Sequence, residues 1–235
     1  RNRTSPFAFT GNKFEFRMLG SSQSVSGPNV VLNTVVAAEL DEFATELEKA
    51  DDLPAALEAL IRRTIREHKR IIFNGNGYDD AWVEEAHRRG LLDLRTTADA
   101  LPYYIRQKNI DLFARYGVYN ETEVRSRYEI HLENYAKVLH IEAHTMVSMT
   151  RKDLLPAAIR YGRELAETLV AKRTALPGLD CLVEEGLLLR VNGLTVALSA
   201  ALDRLVARLD DADAMHADGQ TVADFYRDEV VPAMA

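Results

Sequence analysis

The sequence contains a single cysteine, Cys181, among 235 residues. One thiol cannot form an intrachain disulfide, so the fold must rest on an apolar core, and a reducing cytosol is the expected compartment. Hydrophobic residues make up 47% of the chain and charged residues 28%, which is ordinary for a globular protein with a real core. We therefore expect a cytoplasmic protein of one large domain or two modest ones.

A positive net charge and a long apolar run are also missing. The 29 Lys and Arg residues are outnumbered by 36 Asp and Glu, which gives a net charge of −7. A phosphate backbone would be repelled on average, so no nucleic-acid partner is expected, although a local basic cluster could still hold a small anion. The longest uncharged run, residues 18–38, is broken by Ser, Gln, Gly, Pro and Asn, so it predicts no membrane span.

Strand signals are confined mainly to the start of the chain. From Lys13 to Met18 charged and apolar residues alternate, which is the period-two pattern of a half-buried strand. Phe14 and Phe16 should face a core, while Lys13, Glu15 and Arg17 should line the other face.

The remainder of the sequence predicts helices from apolar spacing of three and four and from capping residues. The predicted helices cover residues 30–47, 53–67, 80–90, 97–116, 121–172 with a kink at Pro156, 191–209 and 221–231. The acidic residues 210–218 predict a loop. The expected fold is mainly α, a helical bundle or array preceded by a short β segment.

The charged face of the first strand is the strongest chemical signal. Lys13, Glu15 and Arg17 would place a cation, a carboxylate and a cation at steps of about 7 Å. They could form a solvated face with salt bridges. Alternatively, Glu15 could bind Mg²⁺ or Mn²⁺ while the flanking cations hold anionic groups of a substrate.

The surrounding residues favour the second interpretation through a family resemblance. Residues 1–17, RNRTSPFAFTGNKFEFR, resemble the closing signature of the glutamine synthetase catalytic domain, in which an Asn-Arg segment precedes a basic-apolar-Glu-apolar-Arg strand. The Phe-rich form seen here is typical of type III enzymes. Further segments resemble the same type: Pro28-Asn29 with the apolar helix after it, HKRIIFNGNGY at 68–78, RGLL at 89–92 and SRYEI at 126–130.

The resemblance implies roles for individual residues. Glu15 matches a metal-ligating glutamate, and Arg17 matches an arginine that binds the substrate glutamate. Arg3 matches an arginine that contacts the nucleotide phosphates and stabilises charge during phosphoryl transfer. Lys13 takes a nucleotide-side position where other types usually carry Arg. Ala8 departs from those types, which have a further arginine at this point.

The resemblance also implies the rest of the biochemistry. Residues 1–50 would end a glutamine synthetase catalytic domain of α+β fold, and residues 51–235 would form a helical C-terminal domain. The enzyme would join glutamate and ammonia with ATP and Mg²⁺ or Mn²⁺, as a cytoplasmic homo-oligomer of stacked rings, a dodecamer. Because the family's other metal ligands should precede Arg1, we expect this chain to be an inactive fragment by itself.

One alternative function remains open at this level, and two further candidate sites are less favoured. The chain could be a non-catalytic, all-helical protein-interaction module whose charged strand is only surface. His140 and His144 have the i, i+4 spacing of helical zinc sites, but no third ligand lies nearby in the sequence on that face, which favours a surface or packing role. The loop 74–77, NGNG, hints at phosphate binding, but the acidic residues after it favour a structural turn.

Overall fold

The structure, a computed structural model, describes residues 7–10, 13–16, 18, 20, 23–77 and 79–235. The chain divides into two compact units, the first formed by Arg1–Arg95 with Ile105–Val124 and the second by Thr96–Tyr104 with Arg125–Ala235. The expected boundary after residue 50, between a catalytic segment and a helical domain, is a separate question and stays a prediction.

The described residues are mainly helical, which confirms the predicted fold class. The strands are β1 Phe7–Thr10 and β2 Lys13–Phe16, and the helices are α1 Ser26–Leu47, α2 Leu53–His68, α3 Asp80–Arg88, α4 Thr97–Tyr104, α5 Gln107–Arg115, α6 Glu121–Met149, α7 Leu155–Ala175, α8 Leu182–Asp213, α9 Gly219–Phe225 and α10 Val231–Met234. A 3₁₀ turn, Lys69–Ile71, follows α2. Turns of π-helix, Thr150–Leu154 and Tyr226–Val230, join α6 to α7 and α9 to α10.

In the first unit, α1 packs against α2 and α5. Asp52 begins α2 as its N-cap, because its side chain accepts a hydrogen bond from the backbone N–H of Ala55, and a proline occupies the first turn. Arg63 of α2 reaches back to α1 and donates two hydrogen bonds to the carboxylate of Glu46, at 3.0 and 2.5 Å. The buried side chains of this unit include Thr34, Ala38, Leu60, Ala86, Ile110, Phe113 and Val124.

The second unit is built around α6 and the C-terminal half of α8. Its main cluster of buried side chains contains Ala136, Ala143, Val147, Leu202, Leu205, Leu209, Ala212, Tyr226 and Val230. In the predicted helix 191–209 the apolar residues Leu202, Leu205 and Leu209 are therefore buried, whereas Leu194 is 61% exposed. The exposures differ because the two parts of α8 have different neighbours. The earlier part contacts mainly α7, whereas the later part packs into the main buried cluster.

Polar contacts tie the short helix α4 to the C-terminal segment of the second unit. Gln220 donates a hydrogen bond to the carbonyl oxygen of Ala98 (3.0 Å) and accepts one from the hydroxyl of Tyr128 (2.9 Å). Arg227 pairs with Asp99 at 2.9 Å and with Asp224 at 2.8 Å. The pKa of the Arg227 guanidinium is raised, chiefly by its hydrogen bonds to the carboxylate of Asp228, so its charge is fixed.

Helices α7 and α8 form an antiparallel hairpin. Gly162 of α7 faces α8, and a Cβ at this position would lie at an ordinary contact distance of 3.9 Å from side chains of Leu188 and Val191. Lys172 and Arg173 form ion pairs with Glu184 and Glu185 near the tip of the hairpin. Among the described residues, α8 alone has the length and apolar composition of a membrane-spanning helix. Only 6% of its most apolar window is buried within this chain, and the buried residues of α8, Leu202, Leu205, Leu209 and Ala212, lie near its C-terminal end.

The structure corrects three details of the predicted helices. The helix expected at 97–116 is divided into α4 and α5, because Arg106 adopts an extended backbone (φ −62°, ψ 142°). The long helix near residue 156 contains a π-turn at Thr150–Leu154, directly before Pro156, which stands in the first turn of α7. Helix α8 continues to Asp213, so only part of the acidic segment at 210–218 lies outside it.

Candidate functional site

The predicted charged strand is β2, which pairs with β1 as an antiparallel hairpin. In its register Ala8 lies opposite Glu15, and Thr10 lies opposite Lys13. Lys13 and Glu15 lie on one face, as predicted, and the ammonium nitrogen of Lys13 is 3.8 Å from a carboxylate oxygen of Glu15. Glu15 is the more protected of the two, with 32% of its side chain exposed against 69% for Lys13.

The side chains of Phe7, Phe14 and Phe16 lie on the opposite face of the hairpin. Phe14 stacks on Phe7 with ring centroids 4.8 Å apart and planes 13° apart. Phe14 and Phe16 remain 53% and 46% exposed, so the burial predicted for them is not reached within this chain. The physical reason is that the described sheet has only two strands, and no second layer of described residues covers its apolar face.

Arg3 and Arg17 lie outside the described residues, so the structure does not place them near Lys13 and Glu15. Their predicted roles, and those of Lys13 and Glu15, stay predictions. Glu15 supplies the oxygen donors that Mg²⁺ and Mn²⁺ prefer, and the ammonium group beside it could hold an anionic group of a substrate. One carboxylate does not complete such a site, and the expectation that further ligands lie outside this chain stays a prediction.

The loop at residues 74–77 is held as a structural turn. A Cβ on Gly75 would lie 2.5 Å from the ring of Phe73, so this position accepts only glycine unless the ring moves. Phe73 stacks on Trp82 at 3.9 Å, and the guanidinium of Arg89 lies over the same indole at 5.5 Å. Arg89 also donates a hydrogen bond to the carbonyl oxygen of Ile72. These contacts explain the glycine without a phosphate.

The acidic residue after this loop is a helix cap. The carboxylate of Asp79 accepts a hydrogen bond from the backbone N–H of Ala81 at 3.0 Å and so occupies the first turn of α3. A negative charge in this place disfavours a bound phosphate, as expected from the sequence.

Comparison with known proteins identifies the family. The model of the glutamine synthetase C-terminal domain matches residues 56–173. The chain belongs to this family. The match covers α2 to α7 and does not include the hairpin that carries Lys13 and Glu15.

Three curated relatives extend the similarity. A glutamine synthetase of Butyrivibrio fibrisolvens is 39% identical over the whole chain, which corresponds to 33% of that protein. A type-3 glutamine synthetase of Dictyostelium discoideum is 43% identical over 72% of the chain and 23% of the relative. A glutamine synthetase of Bacteroides fragilis is 35% identical over 72% of the chain and 24% of the relative.

The glutamine synthetase resemblance of the sequence is therefore confirmed at the level of the family. The chain spans a third or less of the length of these curated relatives. Catalysis, substrates and assembly belong to the whole relatives, and for this chain they are matters of proposal.

Proposed function

We propose that this chain is the C-terminal part of a type III glutamine synthetase, which uses ATP to make glutamine from glutamate and ammonia. The observation that carries the proposal is the 39% identity to a glutamine synthetase across the entire chain, including the hairpin. The reaction would proceed through γ-glutamyl phosphate, from which ammonia displaces phosphate. The 235 residues alone should make no glutamine, because they contain only part of the necessary ligands.

In this proposal the hairpin contributes one wall of the active site. Glu15 would hold Mg²⁺ or Mn²⁺, which when bound neutralises the triphosphate. Lys13, whose ammonium lies 3.8 Å from that carboxylate, would bind the nucleotide phosphates together with Arg3. Arg17 would bind the carboxylate of glutamate through its two-pronged guanidinium. These residues would act by holding the metal ion and the substrates in place and by balancing the negative charge of the phosphates and of glutamate.

The metal role of Glu15 is testable in the full-length enzyme. Glu15→Ala should slow glutamine formation by roughly 100-fold or more at ordinary Mg²⁺ concentration, because an oxygen ligand is lost. Glu15→Asp keeps the carboxylate and should recover part of the rate at high Mg²⁺. Glu48→Ala, an exposed glutamate at the end of α1, is the control and should retain the wild-type rate.

The outcome that contradicts this role is also defined. Wild-type turnover by Glu15→Ala across the Mg²⁺ titration would exclude Glu15 as a ligand. If the folded wild-type enzyme itself made no glutamine, the proposed reaction would be wrong.

We further propose that the helical region mediates assembly of the enzyme. Its α7–α8 hairpin exposes several large apolar side chains: Ile159, Val170, Leu176, Leu182, Val183, Leu189, Leu194 and Val196, each more than 60% exposed. Exposed apolar side chains that share one face of a helix, as Leu182, Leu189 and Val196 do by their seven-residue spacing, are typical of protein interfaces. A homo-oligomer, for which stacked rings of twelve subunits are the family expectation, would cover it by repeating one contact.

A further inference from the structure

A group of potential metal ligands lies in the second unit, away from the charged hairpin in sequence. His140 and His144 are one turn apart on α6, with ring centroids 4.3 Å apart. The sequence shows no third ligand near them, but the fold supplies one. Asp213, the last residue of α8, places a carboxylate oxygen 3.7 Å from Nδ1 of His140.

The three side chains form the only group of at least three potential metal ligands found among the described residues. One donor atom from each lies within 4.8 Å of the other two. In a tetrahedral zinc site the bonds are about 2.0–2.2 Å long, so the donor atoms are about 3.4 Å apart. Closing the gap needs a shift of about 1 Å or somewhat more in side-chain position, and the exposed side chains of His144 and Asp213 can make it without movement of either helix.

The first of the two imidazoles is held in place by its surroundings. Nδ1 of His140 is 3.0 Å from the hydroxyl of Tyr226, which is only 4% exposed and belongs to the core of the unit. Because one ring nitrogen cannot bind an ion and keep this hydrogen bond, the contact would orient the ring of His140 for an ion held at Nε2. His144 and Asp213 are exposed, so an ion could reach the site from solvent, and one coordination position would stay open to water.

We propose that His140, His144 and Asp213 bind Zn²⁺ or a similar divalent transition-metal ion. Two imidazole nitrogens and one carboxylate oxygen suit Zn²⁺ and Co²⁺, whereas Mg²⁺ prefers oxygen ligands throughout. This site therefore differs in metal preference from the one proposed at Glu15.

The bound ion would join the C-terminal part of α6 to the C-terminal end of α8. Residues 214–218 follow that end and lead into α9. An ion that binds the folded state and not the unfolded chain stabilises the fold in proportion to its concentration above the dissociation constant. The metal should therefore raise the melting temperature of the protein that carries it.

The experiment is a Co²⁺ titration of the protein without an affinity tag, in excess Mg²⁺, followed by visible absorption and then by Zn²⁺ competition. We expect one equivalent of Co²⁺ with the intense d–d bands of a tetrahedral site, lost on addition of Zn²⁺. His144→Ala and Asp213→Asn should abolish these bands. His131→Ala removes an exposed histidine from the same helix and should preserve them.

Thermal unfolding gives a second readout. Zn²⁺ should raise the melting temperature of wild type and of His131→Ala, but not of His144→Ala. Circular dichroism of the metal-free variants verifies that each is folded, which is expected because His144 and Asp213 are exposed. Equal Co²⁺ spectra in wild type and His144→Ala, or no tetrahedral bands in folded wild type, would overturn the proposal.

The result is independent of the proposed ligase activity. Glu15→Ala should bind the same equivalent of Co²⁺ as wild type, even where glutamine formation fails. Loss of the tetrahedral bands in Glu15→Ala would mean that the ion belongs to the other site, and would likewise overturn the inference.

Discussion

At the scale of single residues, the core of the second unit depends on a few fully buried side chains. Leu132 of α6 is 0% exposed and packs with Ala98 of α4 and Ala223 of α9. It also lies against Gly219, where an added Cβ would be 3.6 Å from two of its carbon atoms. One leucine of α6 therefore contacts two segments, α4 and α9, that are far from it and from each other in sequence, and its loss should destabilise the packing of both.

We predict that Leu132→Ala lowers the free energy of unfolding of this unit by about 3 kcal/mol, because it removes apolar contacts and leaves a cavity. Ile130→Ala on the same helix is the control. Its side chain is 57% exposed, so we expect a change below about 0.5 kcal/mol. Urea unfolding followed by circular dichroism measures both. Equal losses in the two variants would mean that Leu132 is not a core residue.

At the scale of elements, the start of α9 depends on one carboxylate. Asp218 accepts hydrogen bonds from the backbone N–H groups of Gln220 (3.0 Å) and Thr221 (3.1 Å) and from the hydroxyl of Thr221 (2.8 Å). These bonds, that from the Thr221 N–H most of all, hold the pKa of the Asp218 carboxyl below its ordinary value of 3.8. The ionised form is the one that caps the helix.

This lowered pKa sets the direction of a pH effect. A carboxyl whose pKa is lower in the folded state stabilises the fold above its ordinary pKa, and the contribution is lost as the pH falls through the folded value. Asp218→Asn keeps a good N-cap but cannot ionise. Between about pH 5 and pH 2 its melting temperature should therefore fall less steeply than that of wild type.

Asp203→Asn, which removes an exposed carboxylate from α8, is the matched control and should follow the wild-type slope. If Asp218→Asn and Asp203→Asn showed the same acid dependence, the cap would not be the source of the effect.

The sequence predicted most of these elements because their signals are local. Asp52 stands directly before the predicted helix 53–67, where a capping residue is expected, and Leu202, Leu205 and Leu209 have the spacing of three and four that marks one helix face. The break at Arg106 was missed because Pro102, the local signal, lies four residues before it and is accommodated within α4, so only the backbone of the folded chain shows where the helix ends. The π-turn before Pro156 was missed for a similar reason.

The same distinction between local sequence signals and contacts made only in the folded chain applies to the candidate sites. That Lys13 and Glu15 share a face follows from the two-residue period of a strand, so the sequence was sufficient. The grouping of Asp213 with His140 and His144 joins the end of α8 to α6, a contact that no local pattern contains. The exposure of Phe14 and Phe16 could not be predicted either, because burial depends on layers beyond the strand itself.

At the scale of the whole molecule, the exposed side of the α7–α8 hairpin bears on assembly. Leu182, Leu189 and Val196 recur every seven residues along α8 and are 71%, 75% and 62% exposed. A seven-residue spacing keeps side chains near one stripe of a helix, as in helices that pack against a partner helix. The stripe is therefore suited to a helical surface of a neighbouring subunit.

We predict that Leu189→Glu weakens assembly of the full-length enzyme, because a charge in the middle of this stripe would have to be buried without a partner. Light scattering should show smaller species for the variant than for wild type at equal concentration, while circular dichroism shows unchanged helix content. Ile130→Glu makes the same kind of change at an exposed apolar position on α6 and should leave the mass unchanged. An intact assembly in Leu189→Glu, with dissociation seen only in Ile130→Glu, would place the subunit contact on α6 rather than on the hairpin.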